Sequence, residues 1–144
     1  MKNILVLLGP NLNMLGRREP ELYGHETLAG IEAMIRDKAN EYGFAIDFRQ
    51  SNHEGELVSW IQEELDNADA IIINAGAYTH TSLAIHDALK MFAGPVIEVH
   101  HSDPSKRESF RHFSYIEPLA ARIIKGRGPQ GYLEGLEFLK KRSK

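Results

Sequence analysis

Four stretches of this chain concentrate side chains that move protons or grip small polar molecules. They are Gly9-Pro10-Asn11-Leu12-Asn13, Gln50-Ser51-Asn52-His53-Glu54, Asn74 through Ser82 with His80 inside it, and Glu98-Val99-His100-His101-Ser102. Each follows a short apolar run. Glu98 and His100 are two apart, so on a strand they face the same way and the carboxylate can orient the imidazole, an arrangement suited to proton transfer. The stretch from Gly9 to Gly24 has no helical or strand period and exceeds the about two to six residues usual for a βα loop, as lids and binding loops do. It carries Arg17, Arg18, Glu19 and Tyr23, with Gly16 and Gly24 as candidate hinges. An arginine near a phenol favours the phenolate, which makes a base of a residue otherwise protonated at neutral pH.

Other local motifs carry no such chemistry. Gly126-Arg127-Gly128-Pro129-Gln130-Gly131 matches the dinucleotide fingerprint, but it opens the last helix and no strand follows to supply a ribose-binding acid. It reads as a tight strand-to-helix turn. His53-Glu54-Gly55-Glu56-Leu57 begins like a zinc-protease motif and lacks the second histidine; Glu54 and Glu56 suit a helix first turn instead. Gly9 is not followed by the Gly-Lys-Ser/Thr of a P-loop. A phosphorylated receiver domain needs acids where Pro10-Asn11 and Asn74 stand. The chain has no cysteine, hence no disulfide, thiolate nucleophile or Cys-rich zinc site, and no metal set is expected.

The elements that must position these residues follow from the periodicity. Apolar runs at Ile4–Leu8, Phe44–Phe48, Ala70–Ile73, Pro95–Val99 and, more weakly, Leu119–Ile124 suit strands buried on both faces. Between them Leu28, Ile31, Ile35, Ala39 and Tyr42 share a helical face, with Thr27 as N-cap and Gly43 as stop. Leu57, Ile61 and Leu65 mark a second helix, Ile85, Leu89 and Phe92 a third over Ser82–Phe92, and Tyr132, Leu136 and Leu139 a last one ending in Lys140, Lys141 and Arg142. The expected fold class is α/β: a three-layer, doubly wound, parallel five-stranded sheet in flavodoxin-like order, as one domain over residues 1–144. In such sheets ligands sit outside the carboxyl ends of the strands, where the four polar stretches fall.

Composition narrows the partners. The 144 residues carry 17 Lys+Arg against 20 Asp+Glu, a net charge of −3, which argues against a nucleic-acid binder working by counterion release. The longest apolar run is far too short for a membrane span, and the cytoplasm is the expected compartment. A flavin carrier of this fold would have a hydroxyl-rich phosphate clamp as its first loop, which Pro10-Asn11-Leu12-Asn13 is not. A purely interacting domain leaves the polar strand ends without a role.

The blocks from Gly9 to Pro20 with Tyr23-Gly24, Gln50 to Gly55, Asn74 to Ser82, Ile97 to His100, Phe110-Arg111-His112 and Gly131-Tyr132, taken in order over essentially the whole chain, resemble the type II 3-dehydroquinate dehydratases. The resemblance implies dehydration of 3-dehydroquinate to 3-dehydroshikimate, a shikimate-pathway step. The elimination is anti, through an enolate, with no metal, cofactor or covalent intermediate. By the same resemblance Tyr23 is the base, held ionised by Arg18, and Asn11 holds a water against the enolate oxygen. His100, oriented by Glu98, protonates the leaving hydroxyl. Bringing a tyrosine to near neutrality takes ~4 kcal/mol of differential stabilisation, within reach of one well-placed cation and partial desolvation. Asn74, His80 and Arg111 would bind ring hydroxyls, and backbone N–H groups at His101 and Ser102 the carboxylate. The family further implies a dodecamer built from trimers, in which Asp87 reaches toward a neighbouring active site. Two positions depart from the pattern: His101 stands where the family has an aliphatic residue, and His86 where an arginine often precedes the aspartate. His53, His86 and His112 read as structural or surface histidines.

Overall fold

Residues 1–17 and 26–143 are described by the computed structural model. Five strands, β1 (Asn3–Leu8), β2 (Ala45–Gln50), β3 (Ala70–Asn74), β4 (Val96–His100) and β5 (Arg122–Lys125), pair in parallel in the order β2-β1-β3-β4-β5. Four helices connect or follow them: α1 (Leu28–Tyr42), α2 (Glu54–Glu63), α3 (Leu83–Lys90) and α4 (Gln130–Arg142). The three inner strands are buried along nearly their whole length, which is why their sequences are continuous apolar runs rather than alternating ones.

Strand period two divides those runs between two cores. Ile4, Val6, Leu8, Ile72, Ile97 and Val99 pack with the Ile31–Ile35–Ala39 stripe of α1 and with Tyr132, Leu136 and Leu139 of α4. Leu5, Leu7, Ile71, Ile73 and Val96 pack on the opposite face with Leu57 and Ile61 of α2 and Ile85 and Leu89 of α3. Each of these side chains, fully buried, contributes ~1.5–3 kcal/mol of transfer free energy, so the three layers are held chiefly by this burial. The expected fold class is the one observed.

Caps end the helices as the sequence requires. The Thr27 hydroxyl accepts the Gly30 N–H at 3.1 Å, and Gly43 closes α1 at φ 76°, a left-handed conformation that costs glycine nothing. Ser82 caps α3 by accepting the Ile85 N–H, so the helix runs from Leu83 to Lys90 where the apolar stripe suggests Ser82–Phe92. Gly126 (φ 75°) and Gly128 (φ 57°) shape the β5–α4 turn, the role expected for the glycine-rich motif. On the edge strand β2, Arg49 makes a two-pronged ion pair with Asp47 and reaches Glu63.

Two segments differ from expectation. Of the weak fifth run, Leu119–Ile124, only Arg122–Ile124 is strand, with β5 extending to Lys125; Leu119 instead ends a 3₁₀ turn, Glu117–Leu119, whose Pro118 cannot donate to a ladder. The first loop is also not wholly without period. Leu12–Met14 forms a 3₁₀ turn that buries Leu12 and Leu15 on the α1–α4 core. Arg18, Glu19, Tyr23 and Gly24 lie outside the described residues.

The exits of β1 and β3 cross at Gly9. Its N–H donates to the Asn74 carbonyl at 2.8 Å, and a Cβ there would stand 2.2 Å from the Ala75 oxygen. Gly9→Ala should therefore destabilise the fold by ~1–3 kcal/mol, the range for overpacking a close contact. Gly55→Ala, where a Cβ meets nothing within 4 Å in α2, should be neutral or stabilising by up to ~1 kcal/mol. Urea unfolding midpoints of the two variants check this contrast; equal midpoints would refute it.

Candidate active site

The polar strand ends converge because they are, literally, the last residues of their strands. Asn74 ends β3 and His100 ends β4; Asn11 follows β1 after a two-residue turn. With His80, Arg107 and Arg111 they line a cleft at the carboxyl edge of the sheet, to which His101 and Ser102 also contribute. Two guanidiniums, amides and imidazoles around one cleft suit a small, anionic, hydroxylated molecule.

Glu98 and His100 share a face of β4, and His100 Nε2 donates to Glu98 Oε2 at 2.6 Å. The Glu98 side chain is 2% exposed and that of His100 10%. Since Nε2 is committed to the carboxylate, Nδ1 is the nitrogen left to exchange a proton with a ligand. Ser114 donates to the same Oε2 at 2.7 Å, while its hydroxyl oxygen accepts the N–H groups of Ile116 and Glu117 at 3.1 Å. Ser114 therefore fixes the carboxylate that fixes the histidine. Nothing in its sequence context singles it out, because the contact spans sixteen residues of irregular chain.

Asn11 is the one non-glycine residue with positive φ among those described, at 70°. Asparagine tolerates this region better than most residues. Its N–H donates to Asn52 Oδ1 at 3.0 Å, and the same oxygen accepts from Gln50 Nε2, which also donates to the Gly9 carbonyl. Tyr78 donates its hydroxyl to the Asn52 carbonyl. The second polar stretch thus braces the Asn11 turn instead of lining the cleft.

His80 donates from Nδ1 to the Phe113 carbonyl at 2.8 Å, which leaves Nε2 toward the cleft. Burial is the first cause holding this imidazole below its usual value. His86 likewise donates to the Tyr115 carbonyl, the Tyr115 N–H donates to Thr79, and His112 donates to the Arg107 carbonyl. These bonds stitch the segment that carries Arg111 onto the turn that carries His80, so His86 and His112 are structural, as expected, and His53 is exposed at the start of α2. Arg111 is oriented by Glu108 at 3.0 Å. Arg107, which no sequence motif singles out, also lines the cleft, with Nη1 3.4 Å from Ser102 Oγ. Asp87 sits on the exposed face of α3 and is not among the residues lining this cleft. Arg18 and Tyr23 lie outside the described residues. Among the described residues no three His, Asp or Glu side chains form a metal-binding group, and no helix is long and apolar enough to cross a membrane.

The His101 imidazole turns away from the cleft to meet the Tyr132 hydroxyl at 2.8 Å. Burial pushes it down to about 4, the charge of neighbouring His100 adding to the effect. The unfolded chain therefore binds a proton below about pH 6.5 that the folded chain refuses until about pH 4. The stabilisation from a neutral His101 is complete above pH ~6.5, and up to ~3 kcal/mol is lost as pH falls through that window. Denaturant unfolding near pH 7 and near pH 4 should show a markedly smaller acid loss for His101→Leu than for the parent. Equal losses would contradict the assignment.

Comparison with known proteins agrees with the geometry. The family model for Dehydroquinase class II matches residues 2–140. A 3-dehydroquinate dehydratase of Mesorhizobium japonicum is 55% identical over 140 residues, covering 96% of this chain and 97% of its own. The crystal structure of a type II dehydroquinase from Propionibacterium acnes superposes with a TM-score of 0.94 at 39% identity, covering 98% of this chain and 97% of that one. A type II dehydroquinase from Butyrivibrio crossotus gives 0.93 at 44%, over 96% and 97%. With its sheet order, its strand-end cleft and its sequence all in agreement, this chain belongs to the class II dehydroquinase family.

Proposed function

We propose that this chain dehydrates 3-dehydroquinate to 3-dehydroshikimate, a lyase reaction of the shikimate pathway, with residues 1–144 acting as one catalytic domain. The observation that carries the reading is the buried Glu98–His100 pair opening onto an arginine- and amide-lined cleft in a chain of this family.

The substrate is a β-hydroxy ketone bearing a carboxylate. Tyr23, as the phenolate beside Arg18, takes the proton next to the ketone, and the C–H electron pair moves into an enolate. Asn11 holds a water whose O–H meets the developing oxyanion, stabilising charge where it appears. Collapse of the enolate expels the β-hydroxyl, which takes a proton from His100 Nδ1 and leaves as water. While Nε2–H stays on Glu98, donation from Nδ1 requires the doubly protonated ring, whose charge then stands 2.6 Å from the carboxylate. Asn74, His80 and Arg111 receive the ring hydroxyls, and the backbone N–H groups of His101 and Ser102 receive the substrate carboxylate. This route uses neither metal nor cofactor. The working form is a cytoplasmic homo-oligomer, a dodecamer of trimers. In it Asp87, exposed on α3 just after the Asn74–His80 segment, pairs with a basic group of a neighbouring subunit.

Adding 3-dehydroquinate and following the enone absorbance of the product tests the activity directly. Tyr23→Phe and His100→Ala should each lower kcat by at least a hundredfold, the low end of what a positioned acid or base supplies, with the fold retained. A Tyr23→Phe enzyme within about tenfold of the parent would remove the base assignment. Turnover should persist in chelator, and in borohydride with substrate present; a borohydride-dependent mass increase on a lysine would point instead to a Schiff base.

The assembly has its own test. Light scattering across a dilution series should show one large oligomer, and Asp87→Ala should raise KM or loosen that assembly. A fully active monomer would refute the oligomer. Unchanged KM together with unchanged assembly would refute the role of Asp87.

A further inference from the structure

Beneath the cleft floor the side chains of Asn74, Tyr132 and His101 form a short hydrogen-bonded chain joining the end of β3, the first turn of α4 and the residue after β4. Asn74 Nδ2 lies 3.0 Å from the Tyr132 hydroxyl, and that hydroxyl lies 2.8 Å from His101 Nε2. The three residues are 4%, 0% and 5% exposed, so water does not compete for these bonds. The two rings also meet edge-on, with centroids 5.3 Å apart.

The direction of each bond in this chain follows from counting the groups that each arrangement leaves unpartnered. Asn74 Oδ1 accepts the Gly76 N–H at 3.1 Å, which identifies the oxygen and leaves Nδ2 as the donor to Tyr132. Because that bond occupies an acceptor site of the phenol, the phenolic hydrogen is free to go to His101 Nε2. His101 then carries its own proton on Nδ1, a buried N–H with no partner among the described residues. The opposite polarity, with Nε2–H pointing at the phenol, would strand the phenolic hydrogen in the interior and leave Nδ1 as an unused acceptor; it leaves more groups unsatisfied and is the costlier arrangement. A neutral, buried imidazole is what an acceptor here requires, and burial also keeps Tyr132 a phenol.

We propose that His101 is a positioning residue: by accepting the Tyr132 hydroxyl at Nε2 it holds the Asn74 amide as a one-way donor toward an oxygen of the molecule in the cleft. Asn74 lines the cleft with one Nδ2 hydrogen uncommitted, and the chain behind it decides where that hydrogen points. This inference rests on Asn74 binding substrate, as in the function proposed above. His101 touches no substrate with its side chain. Its effect arrives through Tyr132.

The test is steady-state kinetics with 3-dehydroquinate. His101→Leu should raise KM about fivefold, the loss expected from one ordinary hydrogen bond, with kcat within about twofold of the parent. His101→Gln, whose amide reaches the Nε2 position, should restore KM, and His101→Asn, too short to reach, should not. The Asn/Gln pair also stands in if the leucine variant fails to fold. In an Asn74→Ala background, His101→Leu should change KM no further. The side-chain amide protons of Asn74, followed by NMR exchange, should lose protection in His101→Leu and regain it in His101→Gln. An unchanged KM in His101→Leu, or the same rise with and without Asn74, overturns the inference while Asn74→Ala still raises KM. If Asn74→Ala itself leaves KM unchanged, the binding role of Asn74 fails and the inference falls with it.

Discussion

A carboxylate removed from water needs donors, and the arrangement of this site follows from that need at Glu98 Oε2. Burying such a charge without partners costs far more than any one contact returns. Two donors meet it, both at Oε2: the His100 imidazole on the same strand face and the Ser114 hydroxyl from a distant loop; Oε1 is buried with no partner among the described residues. The first bond decides which nitrogen of His100 is presented to the cleft. The second obliges the chain from residue 103 to 116 to fold back over β4, since Ser114 must arrive with its own N–H partners. That return brings Arg107 and Arg111 to the cleft mouth, and the His80, His86 and Tyr115 bonds hold it there. One buried charge therefore ties the acid, the cations and the binding turn into a single unit.

The sheet was legible because its physics is local and repetitive. Apolar runs in β1, β3 and β4, the Thr27 cap and Gly43 stop of α1, and the spacing of Glu98 and His100 follow from backbone geometry alone, and the structure matches each. What the sequence hid depends on contacts between distant segments. Leu12 and Leu15 look like loop residues until α1 and α4 supply a core for them. Arg107 resembles its solvated neighbour Lys106 until the return loop turns it inward. Asn52 reads as a site residue and proves to be a brace, because its oxygen is claimed by Asn11 and Gln50. His101 is the sharpest instance. Its backbone position is readable from the strand, yet the direction of its side chain depends on Tyr132, which lies in another layer of the fold.

The polar strand ends divide into two kinds. His80 and His100 each spend one ring nitrogen on the protein and keep the other for the cleft, and Asn74, bonded through both its oxygen and its nitrogen, keeps one Nδ2 hydrogen. Gln50, Asn52 and Tyr78 are bonded within the scaffold around the Asn11 turn. The first group gains rigidity without losing its capacity to bind, which is what preorganisation requires. The second group holds a left-handed asparagine whose backbone would otherwise relax. A cleft assembled this way needs little rearrangement of its floor.

The strand order has a consequence for how the chain reaches this state during synthesis. β1 is made before both of its partners, yet it lies between them: β2 joins one edge, and the other edge waits for residues 70 to 74. Until then Ile4 to Leu8 is an apolar, half-paired strand with open hydrogen-bonding groups, the kind of segment that associates wrongly between chains. The nascent protein is therefore most exposed to aggregation while the stretch leading to β3 is still in the ribosome, and chaperone contact with this chain should be concentrated in that interval.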